Sequence, residues 1–221
     1  MKCVNPLAAP DSMADRFPTL CEVFSPTATD GAATGFVLAQ ITPKARGPIF
    51  WVQDRLSRHE GGRPHATGLA FLLGRPVDLL YLEVRRAADV LWAMEEALGC
   101  PALAHVIGEV WGDPPALDFT ATKRLALRSE RSGMQAWLFR RAARTDLSAA
   151  RERWHVSALP SPPMPDDLRA PGAPIWQAEL FRARGRMPGR WVARHDTANG
   201  RLVMGHHIPA PDPAPPLRAL G

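Results

Sequence analysis

Residues 20–42, LCEVFSPTATDGAATGFVLAQIT, constrain the chain more than any other stretch, because they read as strand, loop and helix in direct succession. Leu20, Val23 and Phe24 make a short apolar strand, Pro26 and the polar run 27–30 end it, and residues 32–41 repeat apolar side chains at helical spacing. Gly47 and Pro48 then make a turn. Ile49, Phe50, Trp51 and Val52 follow as an unbroken apolar run, the pattern of a strand buried on both faces. Strand, helix and strand in that order form a βαβ unit, whose two strands lie parallel in one sheet.

The loop has the layout of a phosphate-binding loop without its chemistry. In that template two glycines flank four residues and are followed by Lys and Ser or Thr. Backbone amides cradle phosphate, the lysine reaches the outer phosphates and the hydroxyl ligates Mg²⁺. Laid on residues 30–37, Asp30 stands where the first glycine belongs and Gly31 follows it. Gly35 keeps the second glycine, Phe36 replaces the lysine and Val37 the metal-binding hydroxyl. A carboxylate at Asp30 repels polyphosphate, whereas as a helix cap it satisfies free amides at the helix start. The sequence therefore predicts a structural role for this degenerate loop, and no cofactor.

The remaining chain continues the alternation. Residues 54–64 are a polar, Gly-containing loop, residues 65–73 hold a short helix, and residues 79–84 are a strand. Residues 87–98 place Val90, Leu91, Met94, Ala97 and Leu98 on one helical face. Residues 103–107 form a buried strand running into 108–112, with Glu109 the one acid placed to organise a metal; otherwise it is a structural carboxylate. His105, in the same strand, reads as a hydrogen-bonded core histidine. A helix over 117–132, capped at Thr120 or Thr122 and stopped by Gly133, precedes strands at 134–139 and 152–159. After a proline-rich loop, 160–174, come strands at 175–182, 191–195 and 201–204, the last pair joined by an Asn199-Gly200 turn. The expected organisation is an irregular arm (1–19), one α/β domain (20–204) with a mostly parallel sheet and added antiparallel strands, and a proline-rich disordered tail (205–221).

Charge separates the halves of this domain. The net charge is +5, yet residues 123–153 carry +6 and residues 182–201 carry +5, which leaves −6 for the rest. Of the 27 basic residues 24 are arginine, the side chain suited to bidentate phosphate contacts. Weak, sequence-independent DNA contact is expected through some of Arg124, Arg128, Arg140, Arg141, Arg151, Arg153, Arg182, Arg184, Arg186 and Arg190. Cys3, Cys21 and Cys100 have neither the spacing nor the even count of a disulfide or zinc framework, and are expected to be buried or inert in a reducing cytoplasm. The His206-His207 pair lacks further ligands for a metal site. No apolar run approaches the ~20 residues of a membrane span, so a soluble, unexported protein is expected.

The blocks GAATGF, GPIFWV, RRAADVLWAMEEAL, ALAHVIGEVWG, LDFTATKRLALRSERSG, AWLFRRA, SAARERWHVSALPS and WQAELFRARGRMPGRW occur in this order between about residues 20 and 194. Together they resemble the ImuA family, RecA-related proteins of the SulA type. The resemblance implies a RecA-like core without working ATPase residues. It also implies a non-catalytic accessory role in SOS translesion synthesis, with an ImuB-like Y-family protein and an error-prone C-family polymerase as partners; RecA is a further candidate. It brings no catalytic residues with it. Two alternatives stay open: a SulA-like inhibitor of cell division and a divergent ATPase. In the tail, Leu217 and Leu220 flanking Arg218 are candidate anchors for a partner.

Overall fold

All nine strands expected from apolar runs form, and they join in one sheet. The computed structural model describes residues 19–27, 29–41, 47–164, 166–196 and 201–207. The strands are β1 (Leu20–Phe24), β2 (Ile49–Asp54), β3 (Leu79–Val84), β4 (His105–Trp111), β5 (Ala136–Arg141), β6 (Glu152–Leu159), β7 (Ile175–Ala183), β8 (Gly189–Asp196) and β9 (Arg201–His207). Their spatial order is β3-β2-β4-β5-β1-β6-β7-β8-β9. From β3 to β6 every pairing is parallel, and β7 to β9 continue the sheet antiparallel. This is the RecA-like α/β architecture.

Helices α1 (Ala32–Leu38) and α3 (Ala66–Leu73) contribute to a core on one face that gathers Phe36, Trp51, Trp137, Trp154, Trp176 and Leu180. Helices α4 (Ala87–Ala97) and α5 (Phe119–Ser132) cover the other face, over Leu20, Val52, Val106 and Leu138. The α4 stripe expected from its periodicity is buried throughout, from Val90 to Leu98. It approaches β4 closely because Gly108 has no side chain: a Cβ there would stand 2.2 Å from the Met94 sulfur.

Several local expectations need correction. Residues 54–64 are largely not a loop, since Arg55–Gly61 forms helix α2, and the Asp54 carboxylate caps it by accepting from the Ser57 amide at 2.7 Å. The cap of α5 is Asp118, which accepts from the Ala121 amide. Thr122 lies one turn inside, its hydroxyl bonded to the carbonyls of Asp118 and Phe119. Strand β9 extends through His207, past the expected domain end at 204 and into the segment expected to be tail. His105 is buried, but neither ring nitrogen has a hydrogen-bond partner, and burial beside Arg75 lowers its pKa to about 4. Cys21 is buried, whereas Cys100 is exposed. The arm up to residue 18, the Asn199-Gly200 turn and the tail from residue 208 lie outside the described residues. No described helix is long and apolar enough to cross a membrane.

Candidate functional site

The degenerate loop leads from β1 into α1 at the carboxyl end of the parallel strands, where ligands bind in sheets of this kind. Asp30 places its own carboxylate at the helix start: Oδ1 accepts from the Ala32 amide at 2.8 Å and Oδ2 from the Ala158 amide of β6 at 3.2 Å. One amide at the helix start, that of Ala32, is thus engaged by a side-chain anion where the template would offer it to phosphate. Phe36, at the lysine position, is fully buried and packs on Trp154 with ring centroids 5.0 Å apart, and Val37 is fully buried beside it. Gly35 survives for a different reason from the one the template suggests. A Cβ at this position would stand 2.5 Å from the Trp176 ring, so the glycine admits an indole from β7 rather than a phosphate.

Beneath the loop the site is closed by a buried ion pair that sequence reading did not assemble. Glu109 of β4 accepts from Arg141 of β5 at 2.7 and 3.0 Å through Oε1. Its Oε2 accepts from Trp51 at 3.2 Å and from Gln53. The Arg141 guanidinium reaches on to the Asp30 carbonyl and the Thr34 hydroxyl, each at 3.3 Å. Glu109 is therefore a structural carboxylate with both oxygens occupied, and Arg141 is an internal ligand of the loop rather than a surface cation. A cavity of about 580 Å³ remains above the pair, walled by Trp51, Leu38, Leu69, Leu72, Leu159 and Trp176. Arg63, on its rim, stacks over Tyr81. No group of three or more metal-ligating side chains occurs among the described residues.

The ten arginines expected to meet DNA divide into three groups. Arg140, Arg141 and Arg153 are buried in ion pairs, which corrects their assignment to a DNA surface. Glu22, a fully buried acid within apolar β1, accepts from Arg153 at 2.6 Å and from the Ser148 hydroxyl at 2.9 Å. It also lies 3.6 Å from Arg140, which donates to Asp113 at 3.0 Å. Both guanidiniums sit over the Phe24 ring. Sequence reading passed over Glu22, although a lone acid in a five-residue apolar strand was the available signal. A second group is paired nearer the surface: Arg124 with Glu95, Arg151 with Glu130, Arg186 with Glu152 and Arg190 with Glu179. Arg128, Arg182 and Arg184 are exposed and form no ion pair within 4 Å among the described residues, although the charge of Arg184 helps to lower the pKa of Glu130. Arg151, Arg182 and Arg184 converge with Lys123 around a groove of about 490 Å³ beside α5. Leu217, Arg218 and Leu220 lie outside the described residues.

Fold and site together define a RecA-like α/β protein whose phosphate loop is occupied by its own carboxylate and whose lysine position belongs to the core. No family model matches the chain. It is 32% identical over 183 residues to Protein ImuA of Caulobacter vibrioides, in strains NA1000 / CB15N and ATCC 19089 / CIP 103742 / CB 15. The similarity covers 77% of this chain and 70% of each relative. The chain belongs to the ImuA family, and membership implies a role in the SOS mutagenesis system.

Proposed function

We propose that the protein is a non-catalytic accessory factor of error-prone translesion synthesis, a docking component that works with an ImuB-like Y-family protein and an error-prone C-family polymerase. The observation that carries this reading is the loop occupied from within. Asp30 takes up the Ala32 amide, and the charge of Arg141 is matched by Glu109, so a triphosphate entering the site meets a carboxylate and, among the described lining residues, no lysine. Weak contact with DNA through exposed arginines belongs to the same reading, as does docking of a partner on the tail around Leu217, Arg218 and Leu220.

Affinity purification of the tagged protein from DNA-damaged cells tests the role, with Mg-ATP calorimetry on the same preparation. Recovery of the Y-family protein and polymerase without micromolar nucleotide binding is expected. Recovery of a tubulin-like division protein instead would favour the SulA-like alternative, and ATP turnover would favour a divergent ATPase.

A further inference from the structure

The groove beside α5 has a composition that neither the ion pairs nor the degenerate loop explains. Phe119, Lys123 and Leu127 recur at four-residue spacing and form one stripe along α5, each about 6 Å further along the helix axis. Phe119 is 43% exposed and Leu127 42%. Opposite them run residues 148–151 and the end of β7, which bring Arg151, Arg182 and Arg184 to the rim. Every titratable residue lining the groove is basic: Lys123, Arg151, Arg182 and Arg184. Of these four only Arg151 forms a close ion pair among the described residues, with Glu130, whose carboxylate also feels the charge of Arg184.

The walls are fixed before any ligand arrives. The Ala149 amide donates to the Thr122 hydroxyl of α5 at 3.0 Å, the Arg151 amide to the Leu20 carbonyl at 3.0 Å, and the Arg184 amide to the Arg151 carbonyl at 2.8 Å. Three cations outside any close ion pair, beside two exposed apolar side chains, suit a ligand that carries phosphates along one side and flat apolar faces along the other. Duplex DNA offers phosphates on its outside but keeps its bases stacked within, and it is read by elements that protrude into its grooves. A concave, fixed track with an aromatic at one end fits an unpaired strand, whose bases are free to stack on Phe119 while its phosphates meet the cations.

We propose that this groove binds single-stranded DNA. Lys123, Arg182 and Arg184 contact phosphates, and Phe119 provides the stacking surface. The assignment rests on the reading that this protein touches DNA and adds where it does so and which form it selects. Neutralising three to four phosphates predicts that log K falls against log salt with a slope of roughly −2 to −3.

The test is fluorescence anisotropy with a labelled oligo-dT and with a hairpin duplex of equal phosphate number, using the full-length protein. Lys123→Ala/Arg182→Ala/Arg184→Ala is expected to weaken oligo-dT binding roughly tenfold or more and to flatten the salt slope. The charge-matched control Arg55→Ala/Arg85→Ala/Arg169→Ala, exposed and outside the groove, should change it less than about twofold. Phe119→Ala should weaken oligo-dT binding roughly fivefold or more and leave duplex binding unchanged. Circular dichroism on each variant verifies folding. Equal loss in the control triple, or unchanged oligo-dT affinity in the groove triple, overturns the groove. So does equal affinity for the duplex together with indifference to Phe119→Ala. If the wild-type protein binds no oligonucleotide, direct DNA contact falls with it, whereas co-purification with the polymerases decides the accessory role separately.

Discussion

Removing Arg141 tests whether the closed loop is held by the buried ion pair. Glu109 is 2% exposed, and its Oε1 has both of its donors on Arg141, at 2.7 and 3.0 Å. Arg141→Met keeps much of the side-chain volume but leaves that oxygen buried and charged, with Trp51 and Gln53 serving only Oε2. Breaking one side of a buried pair costs about 3–5 kcal/mol, a large part of a typical domain's stability. Glu109→Gln should cost less, about 2–3 kcal/mol, because the guanidinium keeps its bonds to the Asp30 carbonyl and Thr34 hydroxyl and also lines the cavity. The double variant Glu109→Gln/Arg141→Met removes both charges and should be more stable than Arg141→Met alone by about 1 kcal/mol or more. Urea unfolding followed by tryptophan fluorescence gives the midpoints, and an unchanged m-value keeps the comparison two-state. A cost below about 1 kcal/mol for Arg141→Met, or strict additivity in the double variant, would refute the view that these charges depend on each other.

Gly35→Ala should destabilise by about 1–3 kcal/mol through overpacking against Trp176, and the companion Trp176→Leu should relieve the penalty; a neutral Gly35→Ala would sink the packing role. His105, with a pKa of about 4 when folded and an ordinary value of 6.5, binds its proton more readily in the unfolded chain, so its contribution is full above pH 6.5 and declines as pH falls toward 4. Burial lowers His155 and His195 in the same direction. Between pH 7 and pH 5 the His105 effect alone is about 2 kcal/mol, and His105→Leu should flatten the urea-midpoint profile by that amount; an unaltered profile refutes it. Deleting residues 208–221, which leaves β9 intact, should preserve the melting temperature while weakening co-purification with the polymerase partners; full recovery would move the docking surface to the core.

The parts of this fold visible in the sequence are those whose physics is local. Strands covered on both faces are mostly apolar, so the run from Ile49 to Val52 in β2 and the pair Val106 and Ile107 in β4 stand out even though each strand also buries polar residues. Helix α2 did not, because RLSRHEG has no apolar period; Ser57 is its one buried residue and the Asp54 cap helps hold its start. The loss at Asp30, Phe36 and Val37 was legible because a phosphate loop is a contiguous template. Its replacement was not, since Glu109, Arg141 and Trp176 come from three strands brought around one loop by the strand order. Local density likewise misled on the arginines: Arg140 and Arg153 look cationic in their own segments, but Glu22, far earlier in the chain, lies against both.

The same geometry bears on how a core of this kind could serve a partner. In a phosphate-loop protein the loop is free to respond to what it binds, and subunit contacts can follow that response. Here Asp30 joins the start of α1 to β6 through Ala158, Arg141 joins the loop to β4 through Glu109, and Trp176 of β7 fills the space over Gly35. Three strands therefore contact the described part of the loop and favour one arrangement of it. A ligand can shift an equilibrium only by binding two states differently, and interactions that all favour one arrangement reduce the second state from which such a difference could arise. Regulation of the proposed accessory role would then act through how much protein is present and which partners it meets, while its surfaces, the α5 groove among them, remain ready for contact.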